Sequence, residues 1–142
     1  MTLFIHREVD MKSLMLLVLL GATAAYAGPY DQPYAIITSD TAPSADPNLR
    51  PAIVNRVDGE TVGSDNRAVV APGTHQVTVD LPPRKGFRVS TQHTLELATR
   101  PCMRYYVVAK LDNPEGQEWT PVVRSAELID ECQKEFRTSP GK

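Results

Sequence analysis

The chain has 142 residues, with 15 Lys and Arg against 17 Asp and Glu and a formal net charge of −2 at pH 7. A charge so close to zero creates no field that would attract nucleic acid or an anionic membrane surface, so neither is an expected partner. The length suits one domain of ordinary size with one modest core.

The first 27 residues have the pattern of a signal peptide. Lys12 precedes the apolar run Leu14–Leu20, and a tail of small residues ends in the A-x-A sequence Ala25–Ala27. The alternative is a membrane anchor, but a spanning helix needs about 20 apolar residues and this apolar segment is shorter. The pattern therefore predicts cleavage between Ala27 and Gly28.

Export follows from cleavage, and we expect a periplasmic or secreted protein without stable membrane insertion. Met11 is the expected start, because the mixed charges of the ten residues before it are not typical of the basic beginning of a signal peptide. The leader contains two basic and two acidic residues, so its removal leaves the net charge at −2.

Residues 28–51 are rich in proline, which lacks an amide hydrogen and restricts the residue before it. We interpret them as an extended leader and loop. The apolar run Tyr34–Thr38 is the exception and predicts a first strand or an edge strand. A proline-rich recognition segment is the alternative, but a P-x-x-P core with basic flanks is absent.

From residue 52 the pattern predicts β-strands separated by turns. Ala52–Val57 and Glu60–Val62 are typical of two strands joined by a tight Asp58-Gly59 turn of type I′, in which both residues have positive φ. Arg67–Val70 predicts the next strand. After a turn, Thr74–Leu81 alternates apolar and polar residues, which is typical of a half-buried strand.

The strand pattern continues after the break at Pro82–Gly86, which contains the basic pair Arg84-Lys85. Phe87–Ala98 predicts either one long strand or two strands with a bend near residue 91. Met103–Leu111 has apolar residues on both faces, which predicts a central strand. Glu118–Val123 predicts the next strand.

Two interpretations of the C-terminal segment Ser125–Phe136 are open. A helix with Ser125 as its N-cap is favoured by apolar residues that recur at spacings of three and four, namely Ala126, Ile129, Cys132 and Phe136. In the competing interpretation the strand continues through Leu128 and only a helical turn forms at residues 131–135. We favour the helix.

Cys102 and Cys132 both follow the predicted cleavage point. In an oxidising compartment an even cysteine count in a small domain indicates a disulfide framework, and two cysteines allow one intrachain pair. A reactive thiol, the alternative, would favour a C-x-x-C pair or a nearby base, and the sequence shows no such pair. The sequence therefore predicts a Cys102–Cys132 bridge.

Six to eight short strands and at most one short C-terminal helix predict an all-β, antiparallel sandwich or barrel-like domain over residues 52–137, followed by a tail at 138–142.

Part of this region also shows a motif. It consists of the hairpin sequence Val57-Asp58-Gly59, then Val62-Gly63, then the run Val69–Val79 with its Pro72-Gly73 turn. This pattern resembles PEGA-type domains and related bacterial envelope domains of unknown function, over about residues 53–81.

The resemblance implies a prealbumin-like or immunoglobulin-like β-sandwich that serves as an accessory or interaction module on exported proteins. It supplies no functional residue to carry over. The sequence departs from the family pattern because Thr74 follows Pro72-Gly73, so the P-E-G-A run is absent, and the pattern does not include the half of the chain with the cysteines.

Residues that would carry catalysis or bind a metal are scarce. His75 and His93 share the parity of the apolar faces of their strands, but zinc needs three or four ligands at compatible spacing, so no metal is predicted. Neither a serine-nucleophile frame nor a phosphate-binding glycine loop is present. Alternating carboxylates are explained as solvent faces. We therefore predict a protein that is not an enzyme and has no cofactor.

Two functions from different classes remain. The first is a non-catalytic interaction module for an unidentified envelope protein or glycan, with a surface formed by Trp119, Tyr105, Tyr106 and the basic pair Arg84-Lys85. The second is a small-ligand carrier with an apolar cavity between the sheets. For the three aromatic residues, core packing is the alternative to both.

Overall fold

The computed structural model describes residues 28–83 and 91–137, which form nine β-strands and one short α-helix. In chain order these elements are β1 (Ala35–Ser39), β2 (Leu49–Pro51), β3 (Ile53–Val57), β4 (Glu60–Thr61), β5 (Arg67–Val70), β6 (Gly73–Leu81), β7 (Thr91–Thr99), β8 (Met103–Leu111), β9 (Trp119–Leu128) and α1 (Asp130–Phe136). The predicted signal segment, the pair Arg84-Lys85 and residues 87–90 of a predicted strand lie outside the described residues.

The strands form two sheets that pack face to face, as the predicted all-β sandwich requires. In sheet A, β9 pairs with one edge of β8, β1 and β2 share its other edge, and β5 lies beyond β1. Sheet B contains β4, β3, β6 and β7 in that order. The main core lies between them, where Ile37 and Val107 of sheet A meet Val54 and Val77 of sheet B. These four side chains are at most 1% exposed, because alternation directs every second apolar residue inward.

Strand β8 is the centre of sheet A, which confirms the prediction of a central strand. One edge pairs along its whole length with β9. The other edge is shared: β1 lies along residues 104–107 and β2 along residues 108–110. Both edges of β8 are therefore paired, and both of its faces are buried as well, since the successive residues Val107 and Val108 are 0% and 2% exposed.

The pairing of β1 with β8 is parallel, whereas the other pairs are antiparallel. The sequence predicted an antiparallel sandwich, and this one pair departs from it. Parallel neighbours need a long connection between them. Local patterns of turns and alternation do not carry information about such a distant pairing.

The first strand predicted within residues 28–51 forms as β1, with Ala35 and Ile37 fully buried. It is an interior strand between β8 and β5, so the edge-strand alternative is wrong. The interpretation of the rest of this segment as a leader and loop missed β2, which ends at Pro51. Because β2 contributes only three residues and pairs along one edge, its proline does not disrupt it. The sandwich thus begins at residue 35 and not at residue 52.

The hairpin between β3 and β4 forms as predicted. Asp58 and Gly59 have φ values of 51° and 82°, which is the positive-φ pair of a type I′ turn. The turn closes further through the backbone N–H of Asp58, which donates to the carbonyl of Gln76 on β6 at 2.8 Å. The hairpin is therefore attached to sheet B.

The favoured interpretation of residues 125–136, a helix capped by Ser125, is wrong. β9 continues to Leu128, paired with Met103 on β8, and α1 begins at Asp130. The ladder of backbone hydrogen bonds to β8 outweighs the helical spacing of the apolar residues. The competing interpretation, a strand through Leu128 and a short helical segment after it, is confirmed.

Cys102 and Cys132 form the predicted disulfide bond, with their Cα atoms 5.3 Å apart. It joins the start of β8 to α1 and lies in a second cluster of buried side chains. That cluster also contains Tyr34, Ile36 and Ile129, with Phe136 against it. Ile36 alternates with the core residues of β1, so α1 covers the outer face of sheet A.

No helix within residues 28–83 and 91–137 is long and apolar enough to cross a membrane.

Candidate functional site

Two of the aromatic residues predicted to form an interaction surface belong to the core. Trp119 is 3% exposed and Tyr105 is 7% exposed, and both contact the main cluster between the sheets. The indole N–H of Trp119 donates to the hydroxyl of Thr91 at 2.7 Å. Core packing is therefore the correct interpretation for both side chains, and they do not contribute to a surface.

Tyr106 lies on the outer face of sheet A, where its hydroxyl is hydrogen-bonded. Its hydroxyl donates to Glu127 at 2.5 Å, and Arg104 donates to the same carboxylate oxygen at 3.1 Å. The hydrogen bond to Glu127, together with burial, raises the pKa of the Tyr106 phenol, and the hydrogen bond from Tyr106 lowers the pKa of Glu127. The cluster joins β8 to β9 as a cross-strand contact.

The histidines do not meet in the structure. His93 lies on β7 with its ring 4.5 Å from that of Trp119, at the edge of the core. His75 lies at the other end of the sandwich, near the hairpin turn. In the part of the chain that the structure describes, no three or more His, Cys, Asp or Glu side chains are grouped so that they could hold a metal ion.

A cleft of about 380 Å³ opens between the β3–β4 hairpin of sheet B and strand β5 of sheet A. We call it the hairpin cleft. Its lining residues are Val57, Asp58, Glu60, Thr61, Val62, Gly63, Arg67, Ala68, Val69 and Val70. All four residues of β5 line it, so the cleft follows the edge of that strand and not one of its faces.

The edge of β5 that faces the cleft carries backbone groups directed away from β1. Among the described strands β5 pairs with β1 alone. Ser39 donates its backbone N–H to the carbonyl of Asn66, so these two residues form a hydrogen-bonded pair of the ladder. In an antiparallel ladder such pairs alternate, so the next ones are 37 with 68 and 35 with 70. By this alternation the N–H and C=O groups of Arg67 and Val69 point to the outer edge.

Some of the charged side chains at the rim of the cleft are paired with an opposite charge and one is not. Arg67 forms an ion pair with Asp65 at 3.3 Å. Asp58 contacts His75, with 2.6 Å between its carboxylate and Nδ1 of the ring. The Glu60 side chain makes no hydrogen bond or ion pair within residues 28–83 and 91–137. The rim therefore presents one uncompensated negative charge.

His75 connects the two walls of the cleft. Its Nδ1 faces the carboxylate of Asp58 in the hairpin turn, and its Nε2 lies 2.6 Å from the carbonyl of Ala71, which follows β5. The side chain is 12% exposed. Asp58 also accepts a hydrogen bond from the backbone N–H of Gln76 at 2.9 Å, so it holds the turn against β6.

The interaction shifts the pKa values of both partners. Burial alone would lower the pKa of His75, but the hydrogen bonds to Asp58 and Ala71 and the charge of Asp58 raise it above 6.5. The hydrogen bonds from His75 and from the Gln76 N–H lower the pKa of Asp58 below 3.8. Both groups therefore favour their charged forms.

Sequence reasoning missed Glu60 and the Asp58–His75 contact. The sequence contained part of the information for the Asp58–His75 contact. The predicted turn at Asp58-Gly59 follows β3, and the predicted turn before Thr74 precedes β6. Because β3 and β6 pair, residues next to these two turns lie close together. The alignment of Val57 with Val77 in the ladder then places Asp58 beside Gln76 and His75.

No family model, curated protein or solved structure matches this chain.

Proposed function

We propose that this protein is an exported, non-catalytic module that binds a partner protein of the cell envelope, and that the partner places an extended, basic segment in the hairpin cleft. The observation that carries the proposal is the cleft itself, which follows the edge of β5 along its whole length. Residues 53–81, which resemble PEGA-type domains, form both walls.

An extended segment suits the cleft because one of its walls is the edge of a strand. Addition of a strand to an exposed sheet edge uses backbone N–H and C=O groups, which Arg67 and Val69 direct outward. Binding of this kind needs no active site. It requires a groove that runs along an open strand edge, and the cleft between the hairpin and β5 runs along the edge of β5.

A basic segment suits the cleft because of its rim. Glu60 is exposed and has no charged partner among the described residues, whereas Arg67 is paired with Asp65. A Lys or Arg of the bound segment would pair with Glu60. Exposed ion pairs contribute about 0.2–1 kcal/mol, so this contact selects among partners and the backbone contacts supply affinity.

A peptide titration followed by NMR tests the binding proposal. The probe is a peptide of about seven residues that alternates Lys with Thr and Val, acetylated and amidated at its ends. We expect chemical-shift changes in residues 57–63 and 67–70, and weaker binding by about fivefold in Glu60→Lys, since an attraction of up to about 1 kcal/mol is lost.

Glu118→Lys is the matched control, because it makes the same charge change at the opposite end of the sandwich, beside Trp119. It should bind the peptide as the unchanged protein does. Shift changes centred on the outer face of sheet A, equal affinity for a peptide with Glu in place of Lys, or no binding at all would each contradict the proposal.

Export is tested by N-terminal sequencing of the mature protein, which should begin at Gly28 with the sequence Gly-Pro-Tyr. The signal-peptide pattern and the disulfide bond support this expectation, since disulfides persist in oxidising compartments. Recovery of the full-length chain from the cytoplasm with two free thiols would overturn it.

A further inference from the structure

We infer that His75 controls the charge of the hairpin cleft, and so makes the binding of a basic segment depend on pH. When its ring is protonated, His75 neutralises Asp58 and connects the two walls. When the ring loses a proton, Asp58 becomes a second uncompensated negative charge beside Glu60. The inference rests on the proposed function, because it concerns the segment bound in the same cleft.

The contacts of both ring nitrogens fit the protonated ring. Nδ1 lies 2.6 Å from a carboxylate oxygen of Asp58, and Nε2 lies 2.6 Å from the carbonyl oxygen of Ala71. A carbonyl oxygen only accepts, and so does a carboxylate above its own pKa. Both contacts are hydrogen bonds only when both ring nitrogens donate, and a histidine with two N–H groups is the imidazolium cation. A neutral ring keeps one of the two hydrogen bonds and loses the other.

The surroundings of His75 contain one facing charge in the described residues. Asp58 approaches from the hairpin turn, and the segment after β5 contributes only the uncharged carbonyl of Ala71. On β7 the register partner is Leu97, which is buried. Glu96 has the opposite parity and contacts Gln76 on the outer face of sheet B. The protonation state of the ring therefore depends on solution pH, on its burial and on its hydrogen bonds to Asp58 and Ala71, and Asp58 supplies the charge that acts on it.

The pH range follows from the two pKa shifts. His75 has a raised pKa, so its contribution to stability is complete below 6.5, its ordinary value, and is lost as pH rises through the folded-state value. Asp58 has a lowered pKa, so its contribution is complete above 3.8 and is lost as pH falls through the folded-state value. The contact is strongest at mildly acidic pH, and it weakens above the pKa of His75.

The affinity for a basic segment should change with pH in the direction opposite to the strength of the Asp58–His75 contact. Below the pKa of His75, the rim carries the charge of Glu60 alone, and above it the charge of Asp58 is added. One additional exposed ion pair changes affinity by about two- to fivefold. Affinity for the Lys peptide therefore rises with pH, and the rise is centred on the His75 titration.

The first measurement uses the protein without a peptide. NMR titration of the His75 ring should give a midpoint above 6.5, with both ring nitrogens protonated at acidic pH. Asp58→Asn should lower that midpoint, because the amide carries no charge while Asn tolerates the positive φ of the turn. His93→Gln, a matched control at a distant ring, should leave it unchanged. A midpoint at or below 6.5 would overturn the inference.

The second measurement is the affinity of the Lys peptide from about pH 5.5 to about pH 8.5, a range in which histidine titrates and lysine does not. The unchanged protein should bind two- to fivefold more tightly at the upper end, and His75→Gln should show no such rise. Binding at equal affinity across the range would overturn the inference and leave the proposed function standing. Absence of binding at every pH, with a raised His75 midpoint, would overturn the proposed function and with it the regulatory role.

Discussion

Reduction of the Cys102–Cys132 bridge should lower the free energy of unfolding by about 3.5 kcal/mol. The two cysteines are separated by 30 residues along the chain. In the chain-entropy model the bridge stabilises the fold mainly because it restricts the unfolded chain, and a loop of this length gives that magnitude. Whole domains are stable by about 5–15 kcal/mol, so the loss is a large fraction of the total. For a domain of this size it corresponds to a fall in Tm of about 15–25 °C.

The effect should be largest locally at α1. This helix has seven residues, and isolated helices of that length are marginal in water. Its attachment to sheet A depends on the second cluster, where Ile129 and Phe136 remain after the sulfur bond is broken. Amide hydrogen exchange should therefore show loss of protection after Leu128, while β8 stays protected.

Thermal unfolding with and without reductant, followed by circular dichroism, measures the global effect. The double variant Cys102→Ala/Cys132→Ala is the control and should show no further change when reductant is added. Mass spectrometry under non-reducing conditions checks the bond itself. Two free thiols, an intermolecular dimer, or an unchanged Tm after reduction would contradict the prediction.

Replacement of Trp119 by Ala should destabilise the protein by about 3–5 kcal/mol. Loss of a buried Trp side chain leaves a cavity that the surrounding structure fills only in part. Trp119 is 3% exposed and lies at the start of β9, where its N–H donates to Thr91 and its ring contacts His93, both on β7. One side chain thus holds an outer strand of sheet A to an outer strand of sheet B.

Tyr106→Phe is the matched control, since it changes an aromatic residue on the outer face of sheet A. It removes one hydroxyl and its hydrogen bond to Glu127, a loss of about 1 kcal/mol or less for an exposed contact. Urea denaturation followed by circular dichroism compares the variants, because Trp119→Ala removes the protein's single tryptophan. A loss below about 1 kcal/mol for Trp119→Ala would show that the side chain lies at the surface.

Much of the strand pattern could be predicted from the sequence because it depends on neighbours in the chain. β3, β5, β6 and β8 form where alternation or continuous apolar runs predict them. The errors lie where distant contacts decide. Leu128 is in a strand because Met103 pairs with it, and Pro51 ends a strand because β8 offers an edge beside β1.

The candidate site was less accessible to prediction. Trp119 and Tyr105, which were predicted to form a surface, are buried. The cleft is instead formed by the β3–β4 hairpin and the edge of β5, and His75 bridges them through its contacts with Asp58 and Ala71. Glu60 has no local feature that distinguishes it from other exposed carboxylates. Its significance depends on which charges lie near it in space, and a linear pattern does not contain that information.

By itself, the sequence determined the secondary structure of most strands, the type I′ turn at Asp58-Gly59 and the single pairing open to Cys102 and Cys132. These depend on backbone preferences, side-chain alternation and cysteine number, which are local or countable. The tertiary structure alone decided the parallel pairing of β1 with β8, the end of β9 and the contact of His75 with both cleft walls. Each of these depends on hydrogen bonds and packing between segments far apart in the chain, and such contacts exist only once the two sheets have come together.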